Sequence, residues 1–235
     1  MKIICSLALW ITLSARLLGQ QPPEKPAPLS ASARAAIAKM TPLFDDKTLE
    51  GWVCATNNAW IVKDGAMASL GAGRGVIYTQ REFINYRFVL TIRHVSGQPD
   101  HQACVLIYGT TPPAGQEGLD ALGAFQFQPP SGYGWDYRPG HNNSGQDFFK
   151  KAPHPKFDAH EWSQVELLVD TNGTARMAVA QPVGTKAVEV LTFNDPAADK
   201  LGPLAWQMHD KELFDEYKDV RIEENPPHHS LITAE

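Results

Sequence analysis

Tyr86-Arg-Phe-Val-Leu-Thr-Ile-Arg-His94 alternates side chains with a period of two, Phe88, Leu90 and Ile92 on one face and Arg87, Thr91 and Arg93 on the other. That is the pattern of a half-buried strand. Gln164-Val-Glu-Leu-Leu-Val-Asp170 repeats it with Val165, Leu167 and Val169 inward. Asn172-Gly173 follows, a dipeptide suited to a type I′ hairpin turn, and Ala175-Arg-Met-Ala-Val179 returns as the paired strand. Further strands are expected at Trp60 to Lys63, Cys104 to Tyr108, Phe125 to Gln128, Val188 to Phe193, Leu204 to Met208 and Tyr217 to Ile222. With 18 Gly and 18 Pro among 235 residues, long helices are a poor basis for this chain. So many short strands would curl as one open sheet, so a sandwich of two antiparallel sheets, an all-β jelly roll, buries their apolar faces best. No repeat of propeller or solenoid period is visible.

The ends read differently. Lys2, the apolar run Ile3 to Leu13 and the segment Ser14 to Gly19 have the order of a secretory signal peptide over residues 1–19, too short to span a bilayer. Export to the periplasm or medium is the expectation, with no membrane attachment once the leader is cut. Residues 20–40 begin with Pro22, Pro23, Pro26 and Pro28, a semi-rigid linker, and continue into a short Ala-rich helix with Ser30 or Ser32 as its cap. The folded domain is expected over 41–225. Asn225-Pro-Pro-His-His-Ser then leaves regular structure, so 226–235 is expected to be a loose tail.

Charge and cysteine usage narrow the function. The formal net charge is -5, and loss of Lys2 and Arg16 with the leader leaves 19 basic residues against 26 acidic. Nucleic-acid binding, which needs a basic footprint, is disfavoured. Cys5 departs with the leader, leaving Cys54 and Cys104 either as one disulfide or as two buried thiols. Zinc-type spacing, a Gly-x-Ser-x-Gly elbow and a phosphate-cradling loop are all absent from the sequence.

Four segments in order resemble a known family. Leu43-Phe-Asp-Asp-Lys-Thr-Leu-Glu-Gly-Trp52, Trp60-Ile-Val-Lys-Asp-Gly-Ala-Met67, Ile77 to Phe88, and Gly202-Pro-Leu-Ala-Trp-Gln-Met-His209 with Tyr217-Lys-Asp-Val-Arg-Ile222 are similar to the 3-keto-disaccharide hydrolases, exported bacterial domains with a concanavalin-like jelly roll. The resemblance implies cleavage of glycosides already oxidised to a ketone at sugar carbon 3. Such a ketone acidifies the hydrogen on carbon 2, a positioned base removes it, the aglycone leaves by elimination and water adds back. A divalent metal ion would suit the enediolate, although no ligand set is legible.

The candidate residues follow. His209 and Gln207 are two apart, so on a strand they share a face; the resemblance makes His209 the base or a ligand, while an alternative satisfies it with Asp210. Gln126 and Gln128 share a face opposite Phe125 and Phe127, and Gln126 stands where the resemblance would put a glutamate. A second departure is His101 to Ile107, where relatives tend to show Asn-Ser-Gly. Tyr133, Trp135 and Tyr137 alternate with Asp136 and Arg138 and suit a sugar, its apolar face on the rings and its hydroxyls on Arg138; alternatively they are the private core of a long loop. His154, His160 and Glu161 read as a solvent-facing loop, and His228-His229 as accidental. Three functions therefore stand: a 3-keto-glycoside hydrolase or lyase with Gln126, Gln128 and Gln207 orienting the sugar, a non-catalytic glycan-binding module gripping through Tyr133, Trp135, Tyr137 and Arg138, or a purely structural envelope protein with neither property.

Overall fold

The structure, a computed structural model, describes residues 25–56, 58–97, 103–113, 121–145 and 147–235. The expected leader at 1–19, with Cys5, and His101 lie outside the described residues. In chain order the described strands are β1 (Thr41–Pro42), β2 (Trp52–Cys54), β3 (Trp60–Lys63), β4 (Ala66–Ser69), β5 (Gly75–Phe83), β6 (Tyr86–Ser96), β7 (Cys104–Ile107), β8 (Phe125–Gln128), β9 (Tyr133–Asp136), β10 (Phe149–Lys151), β11 (Ser163–Val169), β12 (Thr174–Ala180), β13 (Val188–Asn194), β14 (Gly202–Met208) and β15 (Phe214–Glu224). They form two antiparallel sheets, the expected jelly-roll sandwich. One runs β10-β13-β12-β11-β6-β15-β4-β3 with β1 also on β15; the other runs β2-β5-β14-β7-β8-β9.

Alternation decides what each sheet buries. Phe88, Leu90, Ile92, Val165, Leu167 and Tyr217 from the larger sheet meet Ile77, Val105, Phe125, Phe127, Leu204 and Trp206 from the smaller in one shared core. Trp206 is its hub, stacked on Tyr217 with centroids 4.8 Å apart and tilted against Trp52 at 5.1 Å. Each such side chain contributes about 1.5–3 kcal/mol by leaving water. The residues between them, Gln126, Gln128 and Gln207 among them, are thereby driven to the outer face of the six-stranded sheet.

Local expectations are corrected at the β11–β12 turn and at the chain ends, and one open alternative is decided. The β11–β12 hairpin forms, but Asn172 does not adopt positive φ; Gly173 alone does, at +78°, closing a longer Asp170–Gly173 loop. The two-residue turn with both residues at positive φ is Asp64-Gly65, between β3 and β4. Of the two alternatives left open for Cys54 and Cys104, free thiols hold, Cys104 buried and Cys54 half-buried. Neither end of the described residues is loose. Helix α1 (Ala31–Lys39) is capped by Ser30, and before it Leu29 N–H donates to the Gly184 carbonyl while Ala27 accepts from Lys186 N–H. The C-terminal segment docks on the outer face of the nine-stranded sheet. Its Leu231 packs with Leu168, Ala178, Ala180 and Ala187, and Thr233, 1% exposed, gives Glu166 both its N–H (2.8 Å) and its hydroxyl (2.6 Å). The reason is electrostatic: Glu166 is wholly buried with Arg87 at 2.8 Å, and the tail supplies the remaining partners that a buried charge requires.

Candidate functional site

β8 and β14 bring their outward amides together. Gln126 Nε2 donates to Gln207 Oε1 and, at 3.0 Å, to Cys104 Sγ, while Gln128 Nε2 donates to Gln126 Oε1 at 3.0 Å. The result is a directed chain of neutral amides across β8, β7 and β14. Gln126 and Gln207 are each 1% exposed and Gln128 is 7%. Such burial is tolerable because each amide finds partners in its neighbours. It also corrects an expectation: the amides are a floor beneath the site rather than groups standing open to a sugar.

Above that floor is a run of rings. Tyr133 and Trp135 project from the same side of β9, and Tyr137 continues the alternation because its N–H still donates to the Ala124 carbonyl. Successive centroids lie 6.3 Å (Tyr133–Trp135) and 6.1 Å (Trp135–Tyr137) apart. The Tyr137 ring lies 6.5 Å from the His209 imidazole, and its hydroxyl is 3.2 Å from His209 Nδ1. His209, just past the end of β14, is half-buried and thus closes one end of the run. Asn142, which no sequence signal singles out, fixes Trp135 by accepting its indole N–H at 3.1 Å. Gly134 secures the run from behind: a Cβ there would come within 2.2 Å of the Phe149 ring, so only glycine lets β9 settle against the core.

Arg138 does not belong to this face. It forms paired hydrogen bonds with the fully buried Asp136, bridges to Asp195 at 2.7 Å, and lies over the Phe125 ring at 4.6 Å. Hydrogen bonding to Asp136 raises its pKa, so it stays a cation that fastens the 136–148 segment to the core. The expectation that it meets sugar hydroxyls is corrected on that ground. His141 is also drawn to Asp136, at 3.1 Å. His154 stacks on Phe157, with its Nδ1 at the Pro155 carbonyl; His160 Nδ1 lies 3.0 Å from the His94 carbonyl. His228 serves through its carbonyl, which accepts from Arg87.

A hard divalent cation asks for several oxygen ligands, carboxylates above all. On this face the groups are three amides, an imidazole and phenols, and among the described residues no group of three His, Cys, Asp or Glu could hold a metal ion. These residues do not fit such an ion.

The sequence matches, over residues 39–223, the family described as the 3-keto-alpha-glucoside-1,2-lyase-like domain. The chain belongs to this family. No curated protein matches it. Among solved structures, the carbohydrate binding module CBM66 of Bacillus subtilis superposes with TM-score 0.52 at 11% identity, covering 79% of this chain and 97% of that one. A provisionally named glycosyl hydrolase of Parabacteroides distasonis does so with TM-score 0.52 at 16% identity, over 79% and 99%. At these identities the likeness speaks for the sandwich, and the family match for a carbohydrate-related role.

Proposed function

We propose that this chain is an exported protein that binds a glycoside oxidised at carbon 3 and takes the proton from carbon 2 with His209. The observation that carries the reading is the hydrogen bond between His209 Nδ1 and the Tyr137 hydroxyl, at the end of an aromatic run able to seat sugar rings. In the tautomer whose Nδ1–H donates to the Tyr137 oxygen, the imidazole lone pair sits on Nε2, the atom that would accept the proton. The phenol of Tyr137 would in turn donate toward the enediolate oxygen. The imidazolium so formed returns its proton to the departing aglycone oxygen, and water adds across the double bond left behind. Burial of the amide chain holds β8 and β14 in register beneath these groups.

The second reading, a glycan-binding module without catalysis, is favoured by one fact: Gln126, at the position the family fills with a carboxylate, cannot act as a base. The test supplies a 3-keto-glucoside to the leaderless protein and follows free aglycone. Release that falls about 10²–10⁴-fold in His209→Ala supports the enzyme. No release, with glycans still bound, supports the module. Neither release nor binding would remove both. Export is checked on the protein made in a Gram-negative host: the reading requires an N-terminus beginning near residue 20, and an intact Met1 in the cytoplasm counts against it.

A further inference from the structure

We infer that the site takes a glycan chain of at least three units that turns from one unit to the next, rather than a disaccharide alone. The inference rests on the proposed sugar-binding reading and adds the size and shape of the ligand. Tyr133, Trp135 and Tyr137 stand at consecutive same-face positions of one extended backbone, so their rings form a linear series and not a cage around a single sugar. A pyranose ring covers about one aromatic ring when it packs face to face, so three rings ahead of His209 offer more stacking surface than two sugars can use.

The series is graded. His209 and Tyr137 are half-buried at one end, Trp135 is half-buried and pinned by Asn142, and Tyr133 is 39% exposed at the other. A terminal unit therefore belongs at His209, and the following units run out along β9, the edge strand of its sheet, toward Tyr133. Each ring is also rotated against its neighbour, by 34° at the first step and 38° at the second. A flat ribbon such as a β-1,4-glucan cannot lie on all three, whereas a chain whose linkage turns successive rings can.

Isothermal titration of the leaderless protein with maltose, maltotriose, maltotetraose and cellotetraose tests this. Affinity is expected to rise about three- to tenfold from maltose to maltotriose or maltotetraose, and cellotetraose to bind more weakly than maltotetraose. Tyr133→Ala should remove the gain with length, so that maltotetraose binds no more tightly than maltose. Tyr133→Phe, which keeps the ring, should retain the gain and exclude misfolding as the cause. Equal affinity for maltose and maltotetraose, or cellotetraose binding as well as maltotetraose, overturns the inference while leaving the sugar-binding reading in place. If no sugar of any length binds, the inference falls; the 3-keto-glycoside reading falls with it only if a 3-keto-glucoside is also left uncleaved.

Discussion

Gln126 uses one amide nitrogen for two acceptors, Gln207 Oε1 and Cys104 Sγ, and its oxygen for a third contact with Gln128. A carboxylate in its place would keep the acceptor and lose the donor, setting a negative charge against the Gln207 carbonyl oxygen inside a dry layer. Gln126→Glu is therefore expected to lower stability by about 1–3 kcal/mol at neutral pH, with the loss shrinking in acid as the new group protonates. Urea denaturation at pH 5 and pH 8 checks this; equal stability at both pH values would show that the amide chain is not a structural requirement. Alternation placed Gln126, Gln128 and Gln207 on outward faces correctly. It could not say that they would bond to one another, because Gln126 and Gln207 are 81 residues apart in sequence and are aligned only through the pairing of both their strands with β7.

At the scale of elements, the docking of the C-terminal segment was the least legible feature. Asn225-Pro-Pro has the local chemistry of an exit, and nothing nearby reveals that Arg87 and Glu166, from strands far upstream, form a buried pair in need of partners. The tail completes that pair: Arg87 Nη2 donates to the carbonyls of His228 and Ser230, and Glu166 accepts from Ile232 and Thr233. Deleting residues 231–235 should cost about 2–4 kcal/mol, from lost hydrogen bonds to a buried charge and from uncovering the Leu168 patch. Thermal denaturation of the deletion should show it, and an unchanged midpoint would mean that the tail merely rests on the sheet. The β11–β12 hairpin forms as expected and only its turn type differs. Asn172-Gly173 and Asp64-Gly65 are both good type I′ candidates, and only the latter has strands separated by two residues. The Asp195 N–H, which donates to the Gly173 carbonyl, helps hold the longer loop.

Across the whole molecule, the sandwich itself was legible because inward alternation is a property of each strand, whereas the way the two sheets share one aromatic hub was not. Stability in acid should depend on pairs such as Arg176–Glu189, which joins neighbouring strands β12 and β13 at 2.9 Å. Hydrogen bonding to Arg176 lowers the Glu189 pKa against the opposing effect of burial. A lowered carboxylate pKa stabilises the fold above its ordinary value, and this contribution is lost as pH falls through the lowered one. Glu189→Gln should thus cost about 0.5 kcal/mol near neutrality, a figure reduced by solvent screening, and the gap from the parent should close in acid. Parallel denaturation curves at pH 7 and pH 3 would show the convergence; a gap that persists at pH 3 would assign the loss to packing.

The 182–187 loop receives Ala27 to Leu29 from one terminus and, through Ala187 N–H to the Thr233 carbonyl, the last residues of the other. Both ends of the described chain are thus moored on the nine-stranded layer, with the aromatic run on the layer behind it. A fusion partner, bead or cell surface joined at Glu235 would leave the ring-bearing side turned outward, so immobilisation by that end is a sound way to display this protein to large, slowly diffusing polymers.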